Sequence, residues 1–460
     1  MLRKYLILFF PLLIAVFLKE TPFWSYLIAW LGSFYVFYVT WVQYGYEFSN
    51  EQPIAEGIMH PIFLIQAIFT GFMCCTSIFY FYDIYQHSLS DPKYIQELYL
   101  TAKSQRLSLL AHIALVLGII SLYGYKDKSV RINNTYTPAF YLKLTLLCYS
   151  LGFVFNWMSG LNQFALYLFN ISSIAGVFLL VAGLTNQQAK FIWLGLTFFI
   201  FNFLSATLTG FKESIITSLL ILFVLLFPLY KKTVIILSIP VVYLLVYILP
   251  TYAGIIRQES WSGGTTVEDA RSMALEQILD ENNQEKIKET NWQFLTERLS
   301  EISMFNQFVG FVPQKRDYYY LEIVENSLEA LIPRVLWPNK PITELVAMER
   351  VYDAEVINRN SIASAKTRPV VDGYLSFGAF GIFISIFLYG MFVQWAYNKS
   401  ENLFNGYELG GIVIFNGIFQ PLWRGNNFEF ILNNMVYGLL SLFLIYYILR
   451  FLKLLNHDQL

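Results

Sequence analysis

Long stretches without a charged residue recur along this chain, separated by short polar segments. A membrane-crossing helix needs about 20 mostly apolar residues, and windows of that size cover 21–46, 57–82, 107–125, 144–189, 191–211, 233–256, 373–398 and 430–449. The 144–189 window is long enough for two helices, with a break at Gly160–Gln163. Shorter runs at 5–18, 214–230 and 409–423 are weaker candidates. The pattern predicts an all-α polytopic membrane protein with about 12 transmembrane helices.

One segment breaks this pattern. Residues 251–369 hold 13 Lys/Arg and 18 Asp/Glu, which is 31 of the chain's 63 charged residues. The spacing of apolar residues predicts a polar helix over 267–289, an amphipathic helix over 290–309 and a third helix over 319–332 that ends at Pro333. We therefore expect a bundle of about nine spans in 1–250, a helical domain in 251–369 and a bundle of about three spans in 370–460.

The distribution of Lys and Arg predicts the orientation of the chain. If the N-terminus is cytoplasmic, short loops on that side receive most of the cations, in agreement with the general excess of Lys and Arg in cytoplasmic loops. Those cations are Arg3, Lys4, Lys126, Lys128, Arg131, Lys190, Lys231, Lys232 and Lys399. We expect a multi-pass membrane protein with both termini cytoplasmic and 251–369 outside.

Composition narrows the possible functions. The chain is 56% hydrophobic, 18% aromatic and only 14% charged, whereas an average soluble domain has roughly 25% charged residues. This composition excludes an ordinary soluble enzyme, and a net charge of −1 gives no basic field that would favour nucleic acid. The sequence has no Walker A loop, GxGxxG, HExxH or DxD motif, so we expect neither a metal nor a cofactor.

Cations on the predicted outer side suggest a site for phosphate. Lys212 and Arg424 lie at the predicted outer ends of membrane helices, although Lys and Arg are in excess on the cytoplasmic side. A charge at that position costs several kcal/mol unless it is solvated, paired or used. With Arg298, Arg334 and Lys340 of the polar segment, they are candidates for a pocket that binds phosphate or pyrophosphate. The alternative is that each side chain extends to the interface on its own.

Asp372 is the candidate general base. It stands where the chain re-enters the membrane, directly before the uncharged 373–398 window. A carboxylate at that position suits the removal of a proton from a hydroxyl group. The alternative is a structural carboxylate that pairs with Arg368.

The segment Leu331–Pro341, with sequence LIPRVLWPNKP, resembles the "PR-x-LWP-x-KP" stretch of Wzy-type oligosaccharide repeat-unit polymerases. Four other segments occur along the chain in the same order as in that family, two before this stretch and two after it: Gly210–Ser214, Arg298, Asp372–Gly381 and Arg424–Gly425. The likeness covers roughly 205–430. This chain departs from the family pattern in having Lys212 where an Arg is usual and Asp372-Gly373 where a Glu precedes the Tyr.

The resemblance implies a GT-C-like helical bundle and a specific reaction. A chain carried on undecaprenyl pyrophosphate would be transferred to a sugar hydroxyl of a second lipid-linked repeat unit, at the outer face of the inner cell membrane. It implies that Lys212, Arg334, Lys340 and Arg424 bind the pyrophosphate and that Arg298, Arg334 and Asp372 are catalytic. A flippase and a chain-length regulator are the implied protein partners.

Three other functions fit the same sequence. An O-antigen ligase-like transferase would use the same donor with a different acceptor. A polysaccharide or lipid transporter would also need many spans, but it favours charges deep within helices or broken helices in two symmetric halves, and few such features occur here. The third alternative is a structural partner of an envelope export machine.

Overall fold

The computed structural model describes residues 5–51, 54–123, 136–158, 160–208, 212–244, 251–252, 272, 276, 284–333, 336–359, 365–423 and 425–455. The α-helices among them are α1 (Phe10–Phe17), α2 (Pro22–Glu51), α3 (Ile54–Met59), α4 (Pro61–Thr70), α5 (Ser77–Ser88), α6 (Lys93–Tyr123), α7 (Pro138–Trp157), α8 (Asn162–Thr185), α9 (Ala189–Leu208), α10 (Lys212–Leu226), α11 (Lys231–Tyr243), α12 (Gln284–Gln293), α13 (Ile302–Phe311), α14 (Glu322–Leu331), α15 (Thr343–Asp353), α16 (Pro369–Leu403), α17 (Asn416–Trp423) and α18 (Phe428–Phe451). No β-strand occurs in these ranges.

Seven helical segments are long and apolar enough to cross a membrane, within the part of the chain that the structure describes. They are Pro22–Tyr44, Pro61–Ser88, Lys93–Tyr123, Pro138–Trp157, Asn162–Thr185, Pro369–Leu403 and Phe428–Phe451. Ile7–Phe17 and Ala189–Ser205 are shorter apolar helices. The expected class, an all-helical membrane protein, is confirmed.

The helices form two compact units. One contains residues 1–136, 146–172 and 300–460, and the other contains 137–145 and 173–299. In the second unit, α9 lies close against α8, because a Cβ atom on Gly195 would stand 2.4 Å from the amide nitrogen of Leu180. Only glycine permits so close an approach of two helix backbones.

In the first unit, α6 packs directly on α16. A Cβ on Gly118 would lie 2.1 Å from the carbonyl oxygen of Phe387, and one on Gly390 would lie 2.4 Å from that of Leu115. The two glycines therefore bring the helix backbones into contact. Lys103 lies 3.4 Å from the Tyr374 hydroxyl near the start of both helices, and the Asn398 side chain donates to the carbonyl of Leu122, 3.1 Å away, near their ends, so the two helices run in the same direction.

A kink divides α16 near its start. Phe377 and Gly378 leave the helical conformation, and Gly378 has φ +61°. The amides of Tyr319 and Tyr320 donate to the carbonyls of Leu375 and Ser376, at 2.9 and 3.1 Å. These bonds satisfy carbonyls that the interrupted helix leaves without an intrahelical partner. The kink thereby ties the polar segment before α14 to the first turns of α16.

The predicted single helix over 290–309 is wrong. The chain forms α12, a wider π-helical stretch over Phe294–Leu299 and then a new helix, α13. Glu301 causes the break, because its φ of +50° places it in the left-handed region that ends a right-handed helix. The predicted helix over 319–332 is confirmed as α14, which ends just before Pro333. Most of 267–289 lies outside the described residues.

Candidate functional site

A cluster of buried charges lies where α15, α16 and α18 meet. The Arg350 guanidinium donates to both carboxylate oxygens of Glu429, with Nη1–Oε1 at 2.7 Å and Nη2–Oε2 at 2.8 Å. Its Nη2 also donates to Asp372 Oδ2 at 3.2 Å and to Thr367 Oγ1 at 3.2 Å. Its Nε stands 3.0 Å from Asp372 Oδ1, a contact of opposite charges too bent for a hydrogen bond. One cation thus joins two carboxylates from two membrane helices.

The helix ends explain why these charges sit where they do. Asp372 and Glu429 lie in the first turns of α16 and α18, and Arg350 lies in the last turn of α15. Negative charge is stabilised at helix N-termini and positive charge at C-termini. Asp372 Oδ2 also accepts from the amide of Phe428 at 2.8 Å. This bond caps α18, whose N-cap residue Asn427 makes no side-chain cap of its own.

Because the three side chains are buried, each charge in this cluster depends on the others for its stability. Asp372 and Glu429 are fully buried and Arg350 is 3% exposed. Burial alone would lower the pKa of Arg350, but the neighbouring carboxylates of Asp372 and Glu429 hold it above its usual value. The cation is therefore fixed in its charged form. Removing one partner of such a group leaves an uncompensated buried charge, which costs far more than the intact cluster gains.

Arg368 makes a second bridge beside the first. Its Nε and Nη2 donate to the two carboxylate oxygens of Glu301 at 2.6 and 2.7 Å. Its Nη1 donates to the carbonyl of Gly425 at 3.1 Å, and its Cζ lies 4.7 Å from the ring centre of Phe72. The two hydrogen bonds from Arg368 to Glu301 offset the free-energy cost of the left-handed backbone conformation of Glu301. Such a conformation persists only where surrounding contacts hold it.

We expect Gly425→Ala to lower the free energy of unfolding by about 2–4 kcal/mol. Gly425 has φ +68°, and a Cβ there would lie 2.8 Å from Cδ of Pro369, so the substitution combines backbone strain with overpacking. Gly160→Ala is the control, since Gly160 has φ +88° but nothing within 4 Å of a new Cβ. It should cost only the backbone part, about 1–2 kcal/mol. Thermal unfolding of the purified variants in detergent measures both, and equal losses would contradict the steric argument.

Four of the predicted site residues either lie outside the described residues or have only their backbone described. Arg334 and Arg424 lie outside the described residues, although Gly425, which follows Arg424, contacts Arg368. Lys212 begins α10 and Arg298 lies in the π-helical stretch, both in the second unit, and nothing is described of their side chains. Their predicted roles in binding phosphate or in catalysis stay predictions.

Lys340 and Asp372 are placed in structural contacts. The Lys340 ammonium donates to the carbonyls of Ala330 and Ile332, at 2.7 and 3.0 Å, and so closes the C-terminus of α14. Asp372 pairs with Arg350, and not with Arg368 as the sequence alternative proposed. The assignments of Lys340 to phosphate and of Asp372 to proton transfer stay predictions, but these contacts favour structural roles.

No motif in the sequence singles out Arg350 or Glu429. Glu429 carried a usable signal, because it is a carboxylate directly before an uncharged window, as Asp372 is. Arg350 carried none, since it is one of 13 cations in the polar segment. The sequence also assigns no role to Lys103, which the structure brings to Tyr374 of α16, with Nζ 3.4 Å from the hydroxyl oxygen.

These features define a class of protein: an all-helical membrane protein in which a polar helical segment is fastened by buried ion pairs to one end of its membrane helices. The chain belongs to the family described as a domain of unknown function, DUF8712, which matches residues 10–457. No curated protein and no solved structure matches the chain.

Proposed function

We propose that this protein is a membrane glycosyltransferase that polymerises undecaprenyl-pyrophosphate-linked oligosaccharide repeat units into a surface polysaccharide. In this proposal the chain crosses the inner membrane about 12 times. Both termini are cytoplasmic, and the polar segment 251–369 lies over the outer ends of the helices. The apolar bundle holds the polyprenyl tails, and the polar segment covers the sugars.

One observation carries the proposal. Two motifs of the polymerase resemblance that are far apart in sequence, the re-entry motif at Asp372 and the Arg424–Gly425 motif at Gly425, meet at one end of the first unit. Arg368 joins Glu301 to Gly425, which is the second residue of the Arg424–Gly425 motif. Arg350 joins the re-entry motif at Asp372 to Glu429. This convergence is what a single site built from those motifs requires.

The chemistry of the proposed reaction fits a cationic site. The bond between the anomeric carbon of the donor and its pyrophosphate breaks, and the leaving group takes up negative charge. The acceptor hydroxyl gives its proton to a general base as the new glycosidic bond forms. Preorganised cations stabilise the developing charge on the leaving group, and an Arg fork suits phosphate oxygens. In this proposal Arg334 and Arg424 supply that fork, with Lys212 and Arg298 contributing further charge.

A strain that lacks the chain tests the proposal. We expect its surface polysaccharide to shrink from a ladder of chain lengths to a single repeat unit. Wild-type protein should restore the ladder and Arg334→Ala should not, whereas Arg334→Lys should restore little, because a lysine lacks the bidentate fork. Arg359→Ala is the matched control, since Arg359 is exposed and paired with Glu349 and Asp353.

Different outcomes point to different functions. A ladder of normal length that accumulates on the lipid carrier, without reaching its final acceptor, would point to a ligase. A repeat unit trapped on the cytoplasmic side would point to a transporter. An unchanged polysaccharide in the deletion strain would overturn the proposal.

A further inference from the structure

Two cations of α6, Lys103 and Arg106, stand close together at one level of the helix. Lys103 and Arg106 are three positions apart, so their side chains share one face of the helix. Both are half-buried. Among the residues that the structure describes, no carboxylate lies within ion-pair distance of either. Like charges at this spacing destabilise a helix, so the pair costs stability unless an anion binds between the two side chains.

Most of their hydrogen-bond donors have no acceptor within the described part of the chain. Arg106 Nη1 donates to Ser25 Oγ at 2.5 Å, and Lys103 Nζ lies 3.4 Å from the hydroxyl of Tyr374. A lysine has three N–H donors and an arginine five. The two acceptors are neutral hydroxyl groups that donate their own hydrogens elsewhere, Ser25 to the carbonyl of Ala15 and Tyr374 to that of Val312. These contacts orient the cations without neutralising them.

The pair marks a boundary along α6. From Leu107 to Tyr123 the helix has no charged residue, whereas Lys93, Glu97, Lys103 and Arg106 precede that stretch. The two cations therefore stand at the point where the helix passes from a polar to an apolar environment. Lipid phosphates lie at this level of a bilayer, between the hydrocarbon core and water. Lys103 also contacts the first turns of α16 through the Tyr374 hydroxyl. The ring centre of Tyr374 lies 6.1 Å from that of Tyr318.

We propose that Lys103 and Arg106 bind a phosphate group that reaches this boundary, carried by a phosphorylated lipid. The Arg106 guanidinium offers a fork to two phosphate oxygens, and the Lys103 ammonium adds a point charge. The inference rests on the uncommitted cations and on their level in the membrane. It does not depend on the proposed transferase reaction, and it uses none of the cations that the polymerase resemblance assigns to pyrophosphate.

Binding to purified full-length protein in detergent tests the inference, with three probes measured by microscale thermophoresis. Undecaprenyl phosphate supplies a lipid phosphate, undecaprenol supplies the same lipid without phosphate, and inorganic pyrophosphate supplies the anion without lipid. The wild type should bind undecaprenyl phosphate more tightly than the other two. Lys103→Gln/Arg106→Gln should weaken that binding about 100-fold, since each charge-assisted contact contributes about a factor of ten or more.

The control is Lys93→Gln, which removes an exposed cation from the same helix that is paired with Asp91 at 2.9 Å. Its affinity for undecaprenyl phosphate should stay within about twofold of the wild type. Because the double variant removes a repulsion, its thermal unfolding temperature should not fall. If it nevertheless fails to fold, Lys103→Gln and Arg106→Gln are measured singly, each expected to bind about tenfold more weakly.

The three probes identify the source of the phosphate. Equal binding of inorganic pyrophosphate, with the same loss in the double variant, would keep the phosphate site and assign it to a soluble ligand. Equal binding of undecaprenol would show that the lipid tail alone is recognised, and it would overturn the inference. Wild-type affinity in the double variant, or in both single variants, would overturn it as well.

Discussion

Replacing Arg350 by Met should lower the free energy of unfolding by about 3–5 kcal/mol, because it leaves two buried carboxylates without their common cation. Asp372 and Glu429 are both fully buried, so neither can recover the loss by turning toward water. The measurement is thermal unfolding of purified protein in detergent, together with the yield of monodisperse protein. Arg359→Met is the control, because the ion pairs of Arg359 are exposed and pairs of that kind contribute about 0–1 kcal/mol.

Neutralising the two carboxylates should partly rescue Arg350→Met. Adding Asp372→Asn and Glu429→Gln to Arg350→Met removes both unpaired charges while keeping side chains of nearly the same shape. The triple variant should therefore be more stable than Arg350→Met alone, although it has more substitutions. If the triple variant is the less stable of the two, the cost of Arg350→Met does not come from buried unpaired charge.

The long helices could be predicted from the sequence, because the absence of charge over about 20 residues is a one-dimensional property of the chain. The uncharged windows at 107–125, 373–398 and 430–449 correspond to α6, α16 and α18. The run at 409–423 forms a π-helical stretch followed by α17. That segment runs back along α16. Near its start the Ser400 hydroxyl donates to the carbonyl of Gly410, and near its end the Tyr389 hydroxyl donates to the carbonyl of Leu422.

The ion pairs could not be predicted, because they depend on which helix ends meet. Asp372 follows Arg368 by four positions, a spacing that suggests a pair within one helix turn. However, α16 begins at Pro369, and Arg368 is in an extended conformation before it. The side chain of Arg368 therefore does not lie on the helix face that carries Asp372, and it bonds Glu301 instead. The partner of Asp372 comes instead from α15, through the packing of three helix termini that no sequence spacing encodes.

The break at Glu301 also lacked a sequence signal. Glycine and asparagine are the residues that usually mark a left-handed backbone position, and a glutamate in that conformation is held by its contacts with Arg368. The periodicity of apolar residues continues from Trp292 to Phe305 across the break. A continuous helix was therefore the natural prediction, and only the tertiary contact explains why it is interrupted.

Asp372→Asn separates the two roles that Asp372 can have. A general base loses roughly 10²–10⁴-fold in turnover when it is neutralised. A carboxylate that positions Arg350 loses much less, because the asparagine oxygen still accepts from the amide of Phe428 and Glu429 still holds the guanidinium in two hydrogen bonds. The fully buried position of Asp372 keeps an acceptor hydroxyl out of its reach. We therefore expect folded Asp372→Asn to retain turnover within about tenfold of the wild type, below the range for a lost base.

The assay is chain extension by purified protein with lipid-linked repeat units, normalised to folded protein. Glu429→Gln is the matched control, since it neutralises the other carboxylate of the same cluster without touching the residue proposed as the base. Equal, modest losses in the two variants would establish that both carboxylates serve to hold Arg350. A loss of 10²–10⁴-fold in Asp372→Asn alone would instead show that Asp372 takes the proton, and the conformation that turns over would then have to expose it.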